Sequence, residues 1–215
     1  MKAVIFDMDG VIYDSSPYVW KARNIYLKKY GVKITSQEIS KLLGKSLRDQ
    51  LSYINKKYGL SISYEDFSRK TREIQVKLMK NKLKPKSGVE KLIYDLKKHK
   101  IKIAIASSNM RKFIIEDLKI MKLKDKFKVI TSVEEVERHK PAPDIFLITA
   151  KKLKVKPENC LVIEDAVNGL QAAKKAGMKA VAVLTKFHKK EEFKDVDLVV
   201  RSIKNLNYYK LRNLF

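Results

Sequence analysis

Asp7 and Asp9 stand one residue apart in VIFDMDGVIYD (4–14), directly after an apolar run. Three further segments place polar residues after an apolar run: Ser107-Ser108-Asn109 after IKIAIA, Arg138-His139-Lys140-Pro141 downstream of KVIT, and Glu164-Asp165 after CLVI. Carboxylates that face one point cannot all stay ionised without a cation. Their oxygens suit Mg²⁺, a hard octahedral ion often shared with a substrate phosphate. The Ser107 hydroxyl and nearby backbone N–H groups can hold phosphate oxygens, and Lys140 adds positive charge opposite. An ionised carboxylate normally repels a phosphate dianion. Metal and lysine together remove that obstacle, and the carboxylate becomes a usable nucleophile.

Each segment alone has a plainer reading. DMDG fits a turn with Asp and Gly in ordinary turn roles. Ser107 and Asp165 fit helix N-caps, Glu164 fits a solvated strand end, and Lys140 is one lysine among many. The chemical reading needs all four segments to meet in space, so the elements that carry them decide the matter.

Those elements are legible as short apolar runs separated by helical stretches. KAVIF (2–6), IKIAIA (101–106), KVIT (128–131), CLVI (160–163), KAVAVL (179–184) and DLVV (197–200) read as strands. Their continuous apolar character suits a parallel sheet buried on both faces. Helical patterns fall between them at 87–99, 113–121, 143–153 and 165–177, the last ending on Gly177. Strand–helix alternation predicts a doubly wound α/β core. In such a sheet ligands bind beyond the carboxyl ends of the strands, where the four polar segments lie. From Ser15 to about Lys84 only helical periodicity is present, as in PYVWKARNIYLKKYG and SLRDQLSYINKKYG. Such a length is far too great for one crossover. An inserted helical domain over 15–84 is therefore expected, with the core formed by 1–14 and 85–215.

Composition narrows the class. The chain has 215 residues, 45% of them apolar, enough for a packed core. Its single cysteine, Cys160, lies in the apolar run NCLVIED, where a small core residue is the expected role. One cysteine excludes a disulfide framework within the chain. Met1 and Lys2 precede only four apolar residues before Asp7, a pattern without a secretory signal. No apolar stretch approaches the roughly 20 residues of a membrane span, so a cytoplasmic chain without membrane association is expected. The formal net charge is +24, and residues 15–84 hold 17 Lys and Arg against five Asp and Glu. Such an excess attracts anions, whether nucleic acid, membrane surface or phosphorylated metabolite. A lysine-rich proteome is the plainer source of the same excess.

Four motifs carry a family likeness: FDMDGV (6–11), IAIASSN (103–109), HKPAPDIF (139–146) and VIEDAVNGLQAAKKAGM (162–178). In order and spacing the sequence resembles the haloacid dehalogenase superfamily, in its β-phosphoglucomutase and phosphoglycolate-phosphatase-like branch. The helical insert resembles that family's cap domain. The resemblance implies that Asp7 attacks phosphorus and becomes an aspartyl phosphate. It implies that Asp9 protonates the leaving oxygen and then activates water. Asp7, the Asp9 carbonyl and Asp165, with Glu164, would hold Mg²⁺, while Ser107, Asn109 and Lys140 would bind the phosphoryl group. Dehalogenases that cleave carbon–halogen bonds lack the second aspartate, so Asp9 favours a phosphate substrate.

One departure stands out. Relatives in the mutase branch carry a histidine in the first cap helix, and the corresponding segment Ser15–Trp20 has none. Lys45, Ser46 and Arg48 in LLGKSLRDQ are the candidate cap contacts to substrate, with solvated helix-start residues as the alternative. The expected function is a Mg²⁺-dependent phosphatase of a small phosphorylated metabolite, acting as a monomer or weak dimer. A phosphomutase on the same scaffold is the nearest rival. A phosphoryl-accepting receiver is more remote, since receivers are shorter and lack the insert and the first-strand DxDG. A nucleic-acid-binding protein rests on charge alone, without aromatic platforms or a base-reading helix, and is not expected.

Overall fold

The computed structural model describes residues 1–42, 47–79, 82–185 and 190–215. The chain divides into two compact units, Met1–Asp14 with Leu83–Phe215, and Ser15–Lys82.

The larger unit is built on six parallel strands: β1 (Ala3–Phe6), β2 (Lys102–Ala106), β3 (Val129–Thr131), β4 (Cys160–Glu164), β5 (Lys179–Val183) and β6 (Leu198–Val200). Their order across the sheet is β3-β2-β1-β4-β5-β6. β1 pairs in register with β2 on one side and β4 on the other, Phe6 lying opposite Ile105 and Ile163. All four β1 residues are fully buried. Successive side chains of a strand point to opposite faces, and both faces of β1 are apolar, as a sheet covered on both sides requires. Ala3 and Ile5 pack with Ile145, Phe146 and Ala150, and Phe6 meets Phe127 edge-on at 5.8 Å.

Every strand boundary falls within one residue of the expectation from the apolar runs. Helices α5 (Val89–Lys98), α6 (Arg111–Ile120), α7 (Asp144–Leu153) and α8 (Val167–Lys175) occupy the expected intervals, and a short α9 (Tyr208–Arg212) follows β6. α8 begins two residues later than its periodicity suggests. The Glu164 carboxylate accepts the backbone N–H groups of Asp165 and Ala166 at 2.6 and 2.7 Å and keeps both outside the helix. α6 begins two residues earlier, because Glu134 accepts the Arg111 amide at 2.7 Å and supplies a cap from outside the segment.

The smaller unit contains α1 (Ser16–Leu27), α2 (Ser36–Leu42), α3 (Leu47–Tyr58) and α4 (Tyr64–Met79). Its own core joins Trp20, Tyr26, Leu27, Leu42, Leu51, Ile54 and Phe67, with Tyr26 and Phe67 edge-to-face at 5.4 Å. Among the described residues it contains no strand, as the helical periodicity required. No helix among the described residues is long and apolar enough to cross a membrane.

Candidate active site

All four polar segments reach the carboxyl edge of the sheet, and three of them sit directly on strand ends. Asp7 follows β1, and its amide donates to the Ile163 carbonyl at 2.9 Å, which continues the ladder toward β4. Ser107 follows β2, with its amide on the Thr131 carbonyl at 3.1 Å. Glu164 ends β4 and Asp165 follows it. β1 and β4 flank the place where the chain switches sides of the sheet, the position where open α/β sheets bind ligands.

The plainer readings fail for three of these residues. α6 is capped at Met110 and α8 at Ala166, so neither Ser107 nor Asp165 is a helix N-cap. Glu164 is 2% exposed and is no solvated strand end.

Lys140 comes from the long connection between β3 and α7 and ties the acids together. Its Nζ donates to Asp7 Oδ1 at 2.6 Å and to Glu164 Oε1 at 2.8 Å, with its side chain almost fully buried. One oxygen each from Asp7, Glu164 and Asp165 lie within 4.8 Å of one another. Burial pushes the Asp7 carboxyl up to about 7; Lys140 opposes the rise, and Glu164 and Asp9 add to it. Burial and the charges of Glu164, Asp7 and Asp9 likewise push Asp165 well up. Burial works against the Lys140 ammonium, yet Asp7 and Glu164 more than offset it and raise its pKa. One lysine is thus shared by a group of acids that still repel each other.

Two glycines make room for this crowding. Gly10 has φ +77°, and a Cβ there would lie 1.8 Å from Asp165 Oδ2. At Gly169, on α8, a Cβ would lie 1.7 Å from Glu164 Oε1. Any side chain at either position would displace a member of the acidic group.

Ser107 is 2% exposed and its Oγ accepts the Asn109 amide at 3.2 Å. Asn109 Nδ2 donates to Asp9 Oδ2 at 2.5 Å, so the second strand end holds the second aspartate of the first. Lys86 is a site residue that the sequence reading missed. Its half-buried Nζ donates to the Gly10 carbonyl at 2.5 Å, and burial lowers its pKa while Asp165 and Asp14 oppose the fall. Nothing in its spacing marks it, because its partner lies 76 residues earlier.

Lys45 and Ser46 lie outside the described residues. Arg48 is described, and its guanidinium lies 4.1 Å over the Tyr64 ring within the helical unit. With Leu51, Ser52, Asn55 and Lys56 it lines an open cavity of about 500 Å³. Cys160 is buried in the core and its thiol is pushed up to about 11, chiefly by burial, which removes it as a nucleophile.

A family model described as haloacid dehalogenase-like hydrolase matches residues 4–183. The chain belongs to this family and is an enzyme of that hydrolase class. It is 32% identical to a phosphorylated carbohydrates phosphatase of Thermotoga maritima, over 84% of each chain. It is 35% identical to the β-phosphoglucomutase of Bacillus subtilis, over 96% of this chain and 92% of that one. Among solved structures, the β-phosphoglucomutase of Clostridium difficile superposes with a TM-score of 0.84 at 32% identity, covering 100% of this chain and 96% of that one. A haloacid dehalogenase hydrolase of Entamoeba histolytica gives a TM-score of 0.89 at 25% identity, over 100% and 99%.

Proposed function

We propose that the protein is a Mg²⁺-dependent phosphatase of a small phosphorylated metabolite, working through an aspartyl phosphate on Asp7. The observation that carries this reading is the acidic group of buried Asp7 and Glu164, bridged by Lys140, with half-buried Asp165 beside them. The donor set fits the ion: three carboxylates with oxygens within 4.8 Å, beside two glycines at which a Cβ would run into Asp165 or Glu164. Asp7, Asp165 and the Asp9 carbonyl, with Glu164, would hold Mg²⁺, which supplies positive charge against the substrate phosphate.

The chain's own groups then divide the work. Lys140 and Ser107 bind the phosphoryl oxygens, with Asn109 beside them. A carboxylate oxygen of Asp7 forms a bond to phosphorus as the bond to the leaving oxygen breaks. Asp9, oriented by Asn109, gives its proton to that leaving oxygen. In the second half, water attacks phosphorus and gives its proton to Asp9, inorganic phosphate leaves, and Asp7 is regenerated.

Similarity to both a phosphatase and a phosphomutase leaves two acceptors for the phosphoryl group, water or a sugar phosphate. Water is favoured because Ser15–Trp20 offers no imidazole to couple sugar binding to proton transfer. Release of inorganic phosphate from sugar phosphates, phosphoglycolate, nucleotides and pyrophosphate with Mg²⁺ tests the reading. In a parallel reaction with β-glucose 1-phosphate and glucose 1,6-bisphosphate, inorganic phosphate should exceed glucose 6-phosphate. Rapid glucose 6-phosphate formation with little free phosphate would establish the mutase instead.

A further inference from the structure

All six strands are parallel, so their amino ends share the edge of the sheet opposite Asp7 and Asp165. That edge has an unusual composition. The four helix-to-strand connections with the helix ends that lead into them, 97–102, 119–128, 151–159 and 174–179, contain 16 lysines and two acids, Asp125 and Glu158, a net of +14. The whole unit, Met1–Asp14 with Leu83–Phe215, carries 32 Lys and Arg against 19 Asp and Glu, a net of +13. The rest of the unit is therefore net negative. A proteome-wide lysine bias would not sort charge in this way.

Fourteen of the 16 lysines are exposed. The β5 end is partly neutralised, since Asp197 takes both Lys174 and Lys179. The β2 and β3 ends are different. Connections 97–102 and 119–128 hold nine lysines and Asp125, and among the described residues no ion pair is found for any of them. Lys102 reaches the Leu153 carbonyl. Burial, followed by the charges of Lys126 and Lys128, pushes the Lys97 ammonium down, so these loops are close enough to repel. A lysine is attracted to the partial negative charge of a helix C-terminus. That favours Lys97, Lys98 and Lys119 but does not account for Lys122 to Lys128, which lie beyond α6.

Beside this edge stands a group of aromatic rings. Tyr94 is 70% exposed on the outer face of α5, between Lys91 and the pair Lys97 and Lys98. His99 stacks on Tyr208 at 3.8 Å, and Tyr209, 63% exposed, meets His99 edge-on at 5.5 Å. The nearby acid Asp95 is occupied, accepting the Tyr208 amide at 2.6 Å. Exposed rings among unpaired lysines match the chemistry of a single-stranded nucleic acid, whose phosphates follow the cations and whose unstacked bases lie on aromatic faces.

From this juxtaposition we infer that the amino edge of the sheet, at the β2 and β3 ends with α5 and α9, is a docking surface for single-stranded nucleic acid. Phosphates contact Lys97, Lys98, Lys126 and Lys128, and bases stack on Tyr94 and Tyr209. The surface lies at the opposite edge of the sheet from the acidic site and operates independently of it.

The test is fluorescence anisotropy of a labelled 20-nucleotide oligothymidylate with the full chain, titrated between about 50 and 200 mM salt. Four phosphate contacts give a slope of log K against log salt of about −3. Replacing Lys97, Lys98, Lys126 and Lys128 together by Gln should remove most of that slope, and each single Lys→Gln change should reduce it by about 0.7. The single variants serve if the combined one fails to fold. Tyr94→Ala and Tyr209→Ala should each weaken binding by about fivefold or more with the slope unchanged. Absence of binding at 50 mM salt overturns the inference, as do tyrosine variants that bind like the wild type. Equal affinity for a 20-base-pair duplex would also overturn it, since a duplex offers no free bases to stack. So would preferential binding to phosphatidylglycerol vesicles that the oligonucleotide cannot displace.

Discussion

Two of the protein's buried carboxylate centres are treated in opposite ways. In the helical unit, Glu38 is 5% exposed and its carboxylate accepts hydrogen bonds from Lys57 and Tyr58, both at 2.6 Å, and from the amide and hydroxyl of Thr35 at 2.8 and 2.7 Å. The bonds from Lys57 and Tyr58, against the opposing effect of burial, bring its pKa down to about 2. In the larger unit, Asp7 is 7% exposed, yet its carboxyl is pushed up to about 7. Exposure is similar at the two places, but burial is the largest influence on Asp7 and is outweighed by hydrogen bonds at Glu38. Glu38 takes four donors, whereas Asp7 takes the Lys140 ammonium, which it shares with Glu164, and faces the like charges of Glu164 and Asp9. Glu164 itself also accepts the Asp165 and Ala166 amides. A saturated carboxylate fastens a fold, because its charge is fully answered. A crowded group with too few donors costs stability and persists where an incoming cation or phosphate partner completes it.

The largest effects should come from the crowded group. Asp7→Asn removes the proposed nucleophile while hardly changing shape, and phosphate release should fall below about one-thousandth of the wild-type rate. Asp9→Asn should slow release about 10²–10⁴-fold, most strongly with a poor leaving group, because it removes proton transfer alone. Circular dichroism should show both variants folded. Turnover of Asp7→Asn within a few per cent of wild type would make Asp7 as structural as Glu38 and end the contrast.

A second expectation concerns the cation. Mg²⁺ at about 100 times its dissociation constant should stabilise the folded protein by about 2.7 kcal/mol through mass action, a rise in thermal midpoint of roughly 5–10 °C. Chelator should abolish both this rise and the activity. Asp165→Asn should lose the rise, whereas Glu38→Gln should keep it. Scanning fluorimetry of the three proteins with Mg²⁺ or chelator decides. A Glu38→Gln protein that no longer responds to Mg²⁺ would show that the two carboxylate centres are not independent.

A smaller effect belongs to Glu38 itself. Its folded pKa lies below the unfolded value of about 4.3. Its contribution to stability is therefore fully present above about pH 4.3 and is lost as pH falls toward 2. Glu38→Gln should lower the thermal midpoint by a few degrees at pH 7, while its midpoint falls less steeply than the wild type's between pH 4.5 and 2. Parallel curves for the two proteins over that range would remove the charge-based account of this centre.

Much of the fold was readable because each strand is a short, continuously apolar run, which fixes its length and its burial on two faces. Helix starts were less readable at α6 and α8, since Glu134 and Glu164 set them from outside the periodic segment. The Glu38 centre was missed although Thr35 and Glu38 show capping-box spacing. Its decisive donors, Lys57 and Tyr58, arrive from another helix. The aromatic group of Tyr94, His99, Tyr208 and Tyr209 escaped notice for the same reason, being split between two segments more than 100 residues apart.

The sequence by itself determined the types of group at the site and the edge of the sheet on which they lie. Strand polarity and the position of each polar segment after its apolar run suffice for that. Tertiary structure alone decided how those groups share charge. Lys140 bridges Asp7 and Glu164 across separations of 133 and 24 residues, and Lys86 reaches Gly10 across 76. Ionisation depends on distance and burial, which one-dimensional spacing does not contain. The same reason explains why an overall charge of +24 resolves, once folded, into an acidic group at one edge of a sheet and a lysine-rich face at the other.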